Sequence, residues 1–434
     1  MRSPVRWILI LAWTSTQFFP DRARSEEPPV NSTSTEWRCD EDNVVIAREI
    51  NRAYARLPFD REYEGVLAQC PFQGSWTTGP NLPVAWKGGV AGIIGDRVVM
   101  AGGLWMPGRR NLALAYDLRN RTYEDIQPPP YETAYTQGAC DGTSLYVVGG
   151  RSAGRRVSRL SRGTDGRWNW EPLPMLPESE GKGRWLGVSH IIPGKWLFLT
   201  TGHPTGTQSE IRQESQLQDW RLRLDQPAAQ WEPMAPYPGG PRALVCGAVA
   251  RNKLFVFGGA HPDSEMRAIF ANLIRDYGLM NVVPYAGAPH YRDAYCYDPD
   301  TDRWQKLRSL PLPMAGGTGI VLEERYILIM GETETKSQRV GKTKRAALVK
   351  LVGGQKGSEL EPQWTGYGDL ILCYDLEQDN YSRLGVMLYG VGTCPWVNDG
   401  NTLYGFGGEP YHGFNDNTEN VLQIGHLEAR PSSP

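Results

Sequence analysis

The chain has 434 residues, with 46 Lys and Arg against 48 Asp and Glu, for a net charge of −2. That balance excludes a nucleic-acid binder drawing its affinity from clustered cations on phosphates, and 40% hydrophobic against 22% charged residues excludes a disordered chain. Forty-nine Gly, 33 Pro, 15 Trp and 20 Tyr describe short strands, many turns and aromatics in a repeated structural role, which reads as all-β.

The N-terminal residues read as an address. Arg2 and Arg6 precede an apolar run, Trp7 to Trp13, that is too short to span a bilayer, and Ala23-Arg24-Ser25 offers small residues for cleavage. The pattern predicts a secretory signal peptide over 1–25, a secreted or periplasmic protein, and no stable membrane insertion. Residues 26–72 form an extension in which Val45 to Leu57 predicts a helix, with Ile46, Ile50, Ala53 and Leu57 on one face. Export permits disulfides, and Cys39 and Cys70 bracket that helix outside everything that follows, so they are expected to pair.

From residue 73 onward an internal repeat dominates. Apolar runs end in a glycine doublet or a near relative of one: RVVMAGG to Gly103, SLYVVGG to Gly150, WLFLTTG to Gly202, LFVFGG to Gly259, YILIMGE to Glu332 and TLYGFGG to Gly408. Each follows a small-residue apolar stretch and a polar turn, making a hairpin of inner strands a and b. Downstream come anchor pairs seven residues apart, Tyr116 and Tyr123, Leu224 and Trp231, Tyr297 and Trp304, Tyr374 and Tyr381, which predict outer strands c and d. The second repeat lacks Tyr-Asp, and the fifth carries Gly-Glu at its doublet. The sixth repeat ends without a d strand, and the unpaired Gln73-Gly74-Ser75-Trp76 supplies one from the other end of the chain, closing a ring.

Apolar run, Gly-Gly, Tyr-Asp and Trp together resemble the Kelch repeat, and six repeats imply a six-bladed β-propeller over 73–434. The up-and-down order of strands puts every d–a and b–c loop on one face. The long insertions, His203 to Asp219, His261 to Arg292 and Thr333 to Tyr367, are all b–c segments, so that face is the expected functional one. In the fourth repeat, Ser264 to Gly278 predicts a helix within the insertion, either a lid or a packing element.

Polar groups collect on the same face. Lys87, Arg184 and Arg242 enter from d–a loops as candidate substrate-binding cations, and Glu332 and Glu409 stand at the ends of b strands. A carboxylate there requires a partner, either a structural cation such as Arg242 or Arg184, or a substrate. Trp105, Trp185, Tyr291 and Tyr411 are candidates for stacking on a sugar. His203, His261, His290 and His412 also fall in b–c segments, but no metal-site motif accompanies them, and no metal or cofactor is expected.

Gly-Glu followed by a nearby Arg, in the repeat after a long helical insertion, resembles the Kelch-type sialic-acid mutarotases, the N-acetylneuraminate epimerases. The resemblance implies catalytic roles for Glu332 and Arg339 in exchanging the anomers of an acidic sugar. The competing expectation is a non-catalytic propeller whose loop face holds a protein or glycan partner.

Overall fold

The computed structural model describes residues 67–106, 111–205, 218–240, 242–260, 291–311, 314–333, 369–388, 390–409 and 418–431. These form six four-stranded antiparallel sheets, each one blade of a propeller. Blade 1 runs Val90–Ile94, Arg97–Ala101, Ala113–Asp117 and Tyr123–Asp125 from the channel outward, and blades 2 to 5 repeat that order. Blade 6 takes three strands, Trp396–Asp399, Thr402–Phe406 and Leu422–Ala429, from the C-terminal end, and its outermost strand is Phe72–Thr78. The register of that closure sets Trp76 opposite Gly425 and Phe72 opposite Ala429. Trp76 also meets Trp396 edge-on at 5.9 Å, so an aromatic from one end of the chain packs on blade 6.

The repeated residues have repeated reasons. The anchor pairs sit directly across strands c and d: Tyr116 faces Tyr123, Tyr297 faces Trp304 and Tyr374 faces Tyr381, with ring centroids 4.9, 5.1 and 5.0 Å apart. Blade 3 departs from this, because Trp231 pairs with Leu222, and Leu224 lies beyond the strand. The Asp after each anchor Tyr closes the c–d turn: Asp117 accepts from the backbone N–H of Arg119 and Asn120, and Asp375 from those of Glu377 and Gln378.

The strand d aromatic also ties its blade to the segment entering it. Trp170, Trp231 and Trp304 donate their indole N–H to the carbonyls of Gln127, Pro174 and Ala235, each at 2.8 Å. Tyr123 and Tyr381 do the same with their hydroxyls to Pro80 and Arg308. An aromatic with one polar atom thereby serves both packing and inter-blade hydrogen bonding.

The doublets kink the end of strand b. Gly258 and Gly259 have φ of 60° and 99°, and Gly407 and Gly408 have 61° and 101°, a left-handed conformation that other residues adopt only with strain. Blade 5 solves the same problem differently. Its strand b is unkinked through Thr333, and the glycines have moved to strand a, where a bulge between Ala315 and Thr318 contains Gly316 and Gly317. A Cβ on Gly331 would stand 2.6 Å from the Gly317 Cα, so close approach replaces the kink as the reason for glycine. Counted along strands b and c, the register keeps Gly331-Glu332 at the doublet positions: Met330 pairs with Ile371 four residues before Asp375, as Ala101 pairs with Ala113 four residues before Asp117. Gly331 lies opposite the bulge that contains Gly316, as Gly408 falls opposite Thr393; Glu332 pairs with Ala315, as Glu409 pairs with Gly392. Without the kink, Glu332 thus takes the second doublet place along strand b but faces strand a where Glu409 does in blade 6.

The expected helices at Val45 to Leu57 and Ser264 to Gly278, and the signal segment, lie outside the described residues. Among the described residues the one helix is a 3₁₀ turn, Glu178–Glu180, and no helix is long and apolar enough to cross a membrane. Cys39 also lies outside them. Cys70 is a free, buried thiol; it donates to the Phe72 carbonyl and contacts the thiol of Cys373, whose pKa rises through that contact and burial.

Candidate functional site

The six inner strands enclose a central channel of about 490 Å³. At its d–a end every blade contributes one residue of positive φ: Gly88, Tyr135, Leu186, Leu244, Gly316 and Thr393. Their peptide groups join around the rim. Gly88 donates to Thr393, Thr393 to Gly316, Gly316 to Leu244, Leu244 to Leu186 and Leu186 to Tyr135, and Thr136 N–H to the Gly88 carbonyl completes the circuit. Hydrogen bonds running one way around the mouth fix where each rim side chain starts.

The wall below is built of small residues because the inner strands nearly touch. A Cβ on Gly92 would meet the Cys140 Cβ at 2.1 Å, and one on Gly247 would meet His190 Nε2 at 2.5 Å. His190 is held neutral by this enclosure, its pKa lowered by burial to about 4.

Of the residues singled out from sequence, Lys87 and Glu409 come together at the rim, with Nζ 3.1 Å from Oε1 and the two side chains 3% and 10% exposed. Lys87 lies in a two-stranded ribbon, Ala85–Lys87 against Leu104–Met106, that is pinned by Trp86 stacking on Trp105 at 5.0 Å and donating to the Gly102 carbonyl. The hydroxyl of Tyr135 donates to the same Glu409 oxygen at 3.0 Å. The carboxylate is thus compensated by a cation from blade 1 and a phenol from blade 2.

Arg184 and Arg242 are placed elsewhere, and neither is the partner of Glu409. Arg184 is fully buried; its guanidinium grips Glu180 through Nε at 2.9 Å and Nη2 at 2.6 Å and donates to the Thr201 carbonyl. Trp220 donates to the same Glu180 at 2.7 Å. Arg242 forks onto both oxygens of Asp293 and lies 3.8 Å over the ring of Tyr291. Each cation found a carboxylate within its own blade, at a position outside the repeat motif. Both therefore act as buried struts.

Trp105 is buried in its stack and Tyr291 is buried beneath Arg242, so neither offers a face to a ligand. Trp185 is half-buried at the rim. Its indole N–H donates to His203 Nδ1 at 3.2 Å, Tyr135 meets it edge-on at 5.9 Å, and the Arg151 guanidinium stands 5.9 Å over its ring. Tyr135, Arg151 and Glu180 were missed in the sequence. Tyr135 could have been found from its place nine residues before the run that begins at Ser144, as Gly88 stands nine before Arg97, but nothing local marks Glu180.

The backbone of Glu332 ends strand b of blade 5, while Arg339, Lys336, Tyr411, His261, His290 and His412 lie outside the described residues. Among the described residues no group of three or more His, Cys, Asp or Glu stands where it could hold a metal.

Fold and rim define a six-bladed, Kelch-like β-propeller with a polar, aromatic-lined channel mouth. Sequence relatives add a name. A 190-residue stretch is 25% identical to the N-acetylneuraminate epimerase of Yersinia pestis, covering 40% of this chain and 41% of that protein. Stretches of 113 residues are 26% identical to the N-acetylneuraminate epimerase of Salmonella typhi and 28% identical to that of Haemophilus influenzae, each covering 26% of this chain. The chain thus matches about two fifths or less of the length of these relatives. No family model matches the chain.

Proposed function

We propose that the chain is an exported mutarotase that exchanges the anomers of an acidic sugar such as N-acetylneuraminate at the d–a and b–c face of the propeller, with Glu332 and Arg339 in the catalytic roles. The observation that carries this reading is the position of Glu332. It takes the second place of the blade 5 doublet and, across strand a, the pairing position that the rim residue Glu409 holds in blade 6, in a chain similar to N-acetylneuraminate epimerases.

Anomer exchange of a cyclic ketose breaks and remakes the bond between the ring oxygen and the anomeric carbon. A base removes the proton of the anomeric hydroxyl while an acid delivers one to the ring oxygen, giving the open keto form; rotation presents the other carbonyl face, and the reverse transfers close it. One carboxyl group, directly or through a water, performs both transfers, so no net proton is consumed. In this reading Glu332 is that carboxyl and Arg339, in the following loop, steadies the substrate's carboxylate. Export, which rests on residues 1–25, places the reaction outside the cytoplasm. The test is Glu332→Gln: exchange of N-acetylneuraminate anomers, followed by NMR exchange spectroscopy, should fall by about 10²-fold or more with the melting temperature unchanged. Unaltered exchange would remove Glu332 from the chemistry, and no exchange by the wild type would leave a partner-binding propeller.

A further inference from the structure

The segment that closes blade 6 is also attached to blade 5. Ahead of Pro71, Gln69 forms a parallel bridge with Arg383 in strand d of blade 5, Asn380–Val386. Cys70 N–H donates to the Arg383 carbonyl at 2.9 Å, and Arg383 N–H donates to the Ala68 carbonyl at 2.8 Å. Blade 6 holds the same point from its other side, where Arg430 donates its backbone N–H to the Pro71 carbonyl at 2.7 Å and its Nε to the Cys70 carbonyl at 3.0 Å. Ala68 to Thr78 therefore bridge the two blades between which the ring is sealed, and Cys70 marks the crossing. Strand c of blade 5, Leu370–Asp375, carries Cys373, paired with Ser382 beside Arg383. Cys70 and Cys373 are each 1% exposed and belong to one apolar cluster shared by blades 5 and 6, with thiol against thiol.

We infer that Cys70 and Cys373 are the two halves of a disulfide clasp that locks the closing segment to blade 5 under oxidising conditions, so that Cys70 pairs here and not with Cys39. The inference goes beyond the mutarotase reading and does not depend on it. The two sulfurs are unequal. Cys70 accepts a hydrogen bond from the Cys373 thiol and another from Phe72 N–H at 3.4 Å, and together with the charge of Arg430 these bonds lower its pKa. The same contact and burial raise that of Cys373. Cys70 is thus the attacking sulfur. Its thiolate attacks a small disulfide such as oxidised glutathione, forming a mixed disulfide and releasing one glutathione thiolate. Cys373 gives its proton to that thiolate and attacks the Cys70 sulfur, forming the protein disulfide and expelling the second glutathione. Two protein thiols are oxidised while one glutathione disulfide is reduced to two thiols. Because both sulfurs are buried, the exchange takes place as the ring closes or while the segment is lifted. The loop so formed takes in blades 1 to 4 and the inner strands of blade 5, and a cross-link over so long a loop strongly restricts the unfolded chain.

The test is refolding of the full chain from denaturant in glutathione buffers from fully reduced to fully oxidised, which gives both thiols access to the oxidant. Wild type, Cys39→Ser, Cys70→Ser and Cys373→Ser are compared by peptide mapping under non-reducing conditions, after alkylation of free thiols in denaturant, and by melting curves. Oxidised wild type and Cys39→Ser are expected to yield one peptide pair linked through Cys70 and Cys373, and to melt roughly 3 °C or more above their reduced forms. Cys70→Ser and Cys373→Ser should lose both the linkage and the oxidation-dependent rise. Each variant is read against its own reduced form, so a destabilising substitution does not obscure the result. Alkylated Cys70 and Cys373 in the oxidised wild type would overturn the inference, as would a Cys39–Cys70 linkage. A Cys70–Cys373 linkage that leaves the melting temperature unchanged would overturn the clasp.

Discussion

The buried pair of Arg184 and Glu180 offers a perturbation whose size follows from its surroundings. Arg184 is fully buried and Glu180 is 3% exposed, and Glu180 also accepts the indole N–H of Trp220. Glu180→Ala leaves a guanidinium in the interior without its hydrogen-bonded carboxylate, Asp219 being the carboxylate that still acts on it, and orphans the indole, at a cost of about 3–5 kcal/mol. With an unfolding entropy of roughly 2.1 cal/mol/K per residue, a cooperative unit of this size loses about 1 °C per kcal/mol, so the midpoint should fall by roughly 3–6 °C. Glu180→Gln keeps an acceptor for Trp220 and should cost less, and the apolar pair Glu180→Leu with Arg184→Met should restore part of the loss because the unmatched guanidinium is gone. Thermal melting followed by tryptophan fluorescence reads all of these. Melting of Glu180→Ala within about 1 °C of the wild type, or a double variant no better than the single, would refute the strut and return Arg184 to the pool of substrate-binding cations.

Deleting residues through Thr78 removes the seven-residue strand that closes blade 6 and should destabilise the whole propeller by exposing the edge of Leu422–Ala429; a truncated protein with wild-type melting would contradict closure by this strand. His190 should impose an acid limit. Its native pKa, about 4, lies below the ordinary 6.5, so its contribution is complete above pH 6.5 and is lost as the pH falls toward 4, up to about 3 kcal/mol; His190→Gln should flatten that limb, and an unchanged pH profile would rule the residue out. Gly92→Ala should cost about 1–3 kcal/mol by pressing into Cys140 across the inner strands, and wild-type stability there would mean that the wall yields more than its spacing suggests.

The architecture was readable because a propeller repeats its reasons. Strand periodicity recurs with each blade, with glycines at the kink in most of them and Tyr-Asp at the turn in blades 1, 4 and 5, and even the missing strand of the sixth repeat pointed to Trp76. The site was harder to read. Sequence located Lys87, Arg184, Arg242 and Glu409 on the correct face, but which cation meets which carboxylate depends on contacts between residues far apart in the chain. Glu409 thus found Lys87 and Tyr135 across blades, while Arg184 and Arg242 turned to Glu180 and Asp293. The fifth repeat shows the other limit. Its Gly-Glu is a substituted doublet, but the bulge at Gly316 and Gly317 moved the irregularity to the neighbouring strand and paired Glu332 with Ala315. A register slip of that kind has no signature in the spacing of a single motif.

The most direct measurement is two-dimensional NMR exchange spectroscopy on N-acetylneuraminate with the purified protein, wild type beside Glu332→Gln. The account expects cross-peaks between the α and β anomers that grow with wild-type concentration and fall by about 10²-fold or more in the variant while its melting curve is unchanged. Exchange at the uncatalysed rate with the wild type would contradict it.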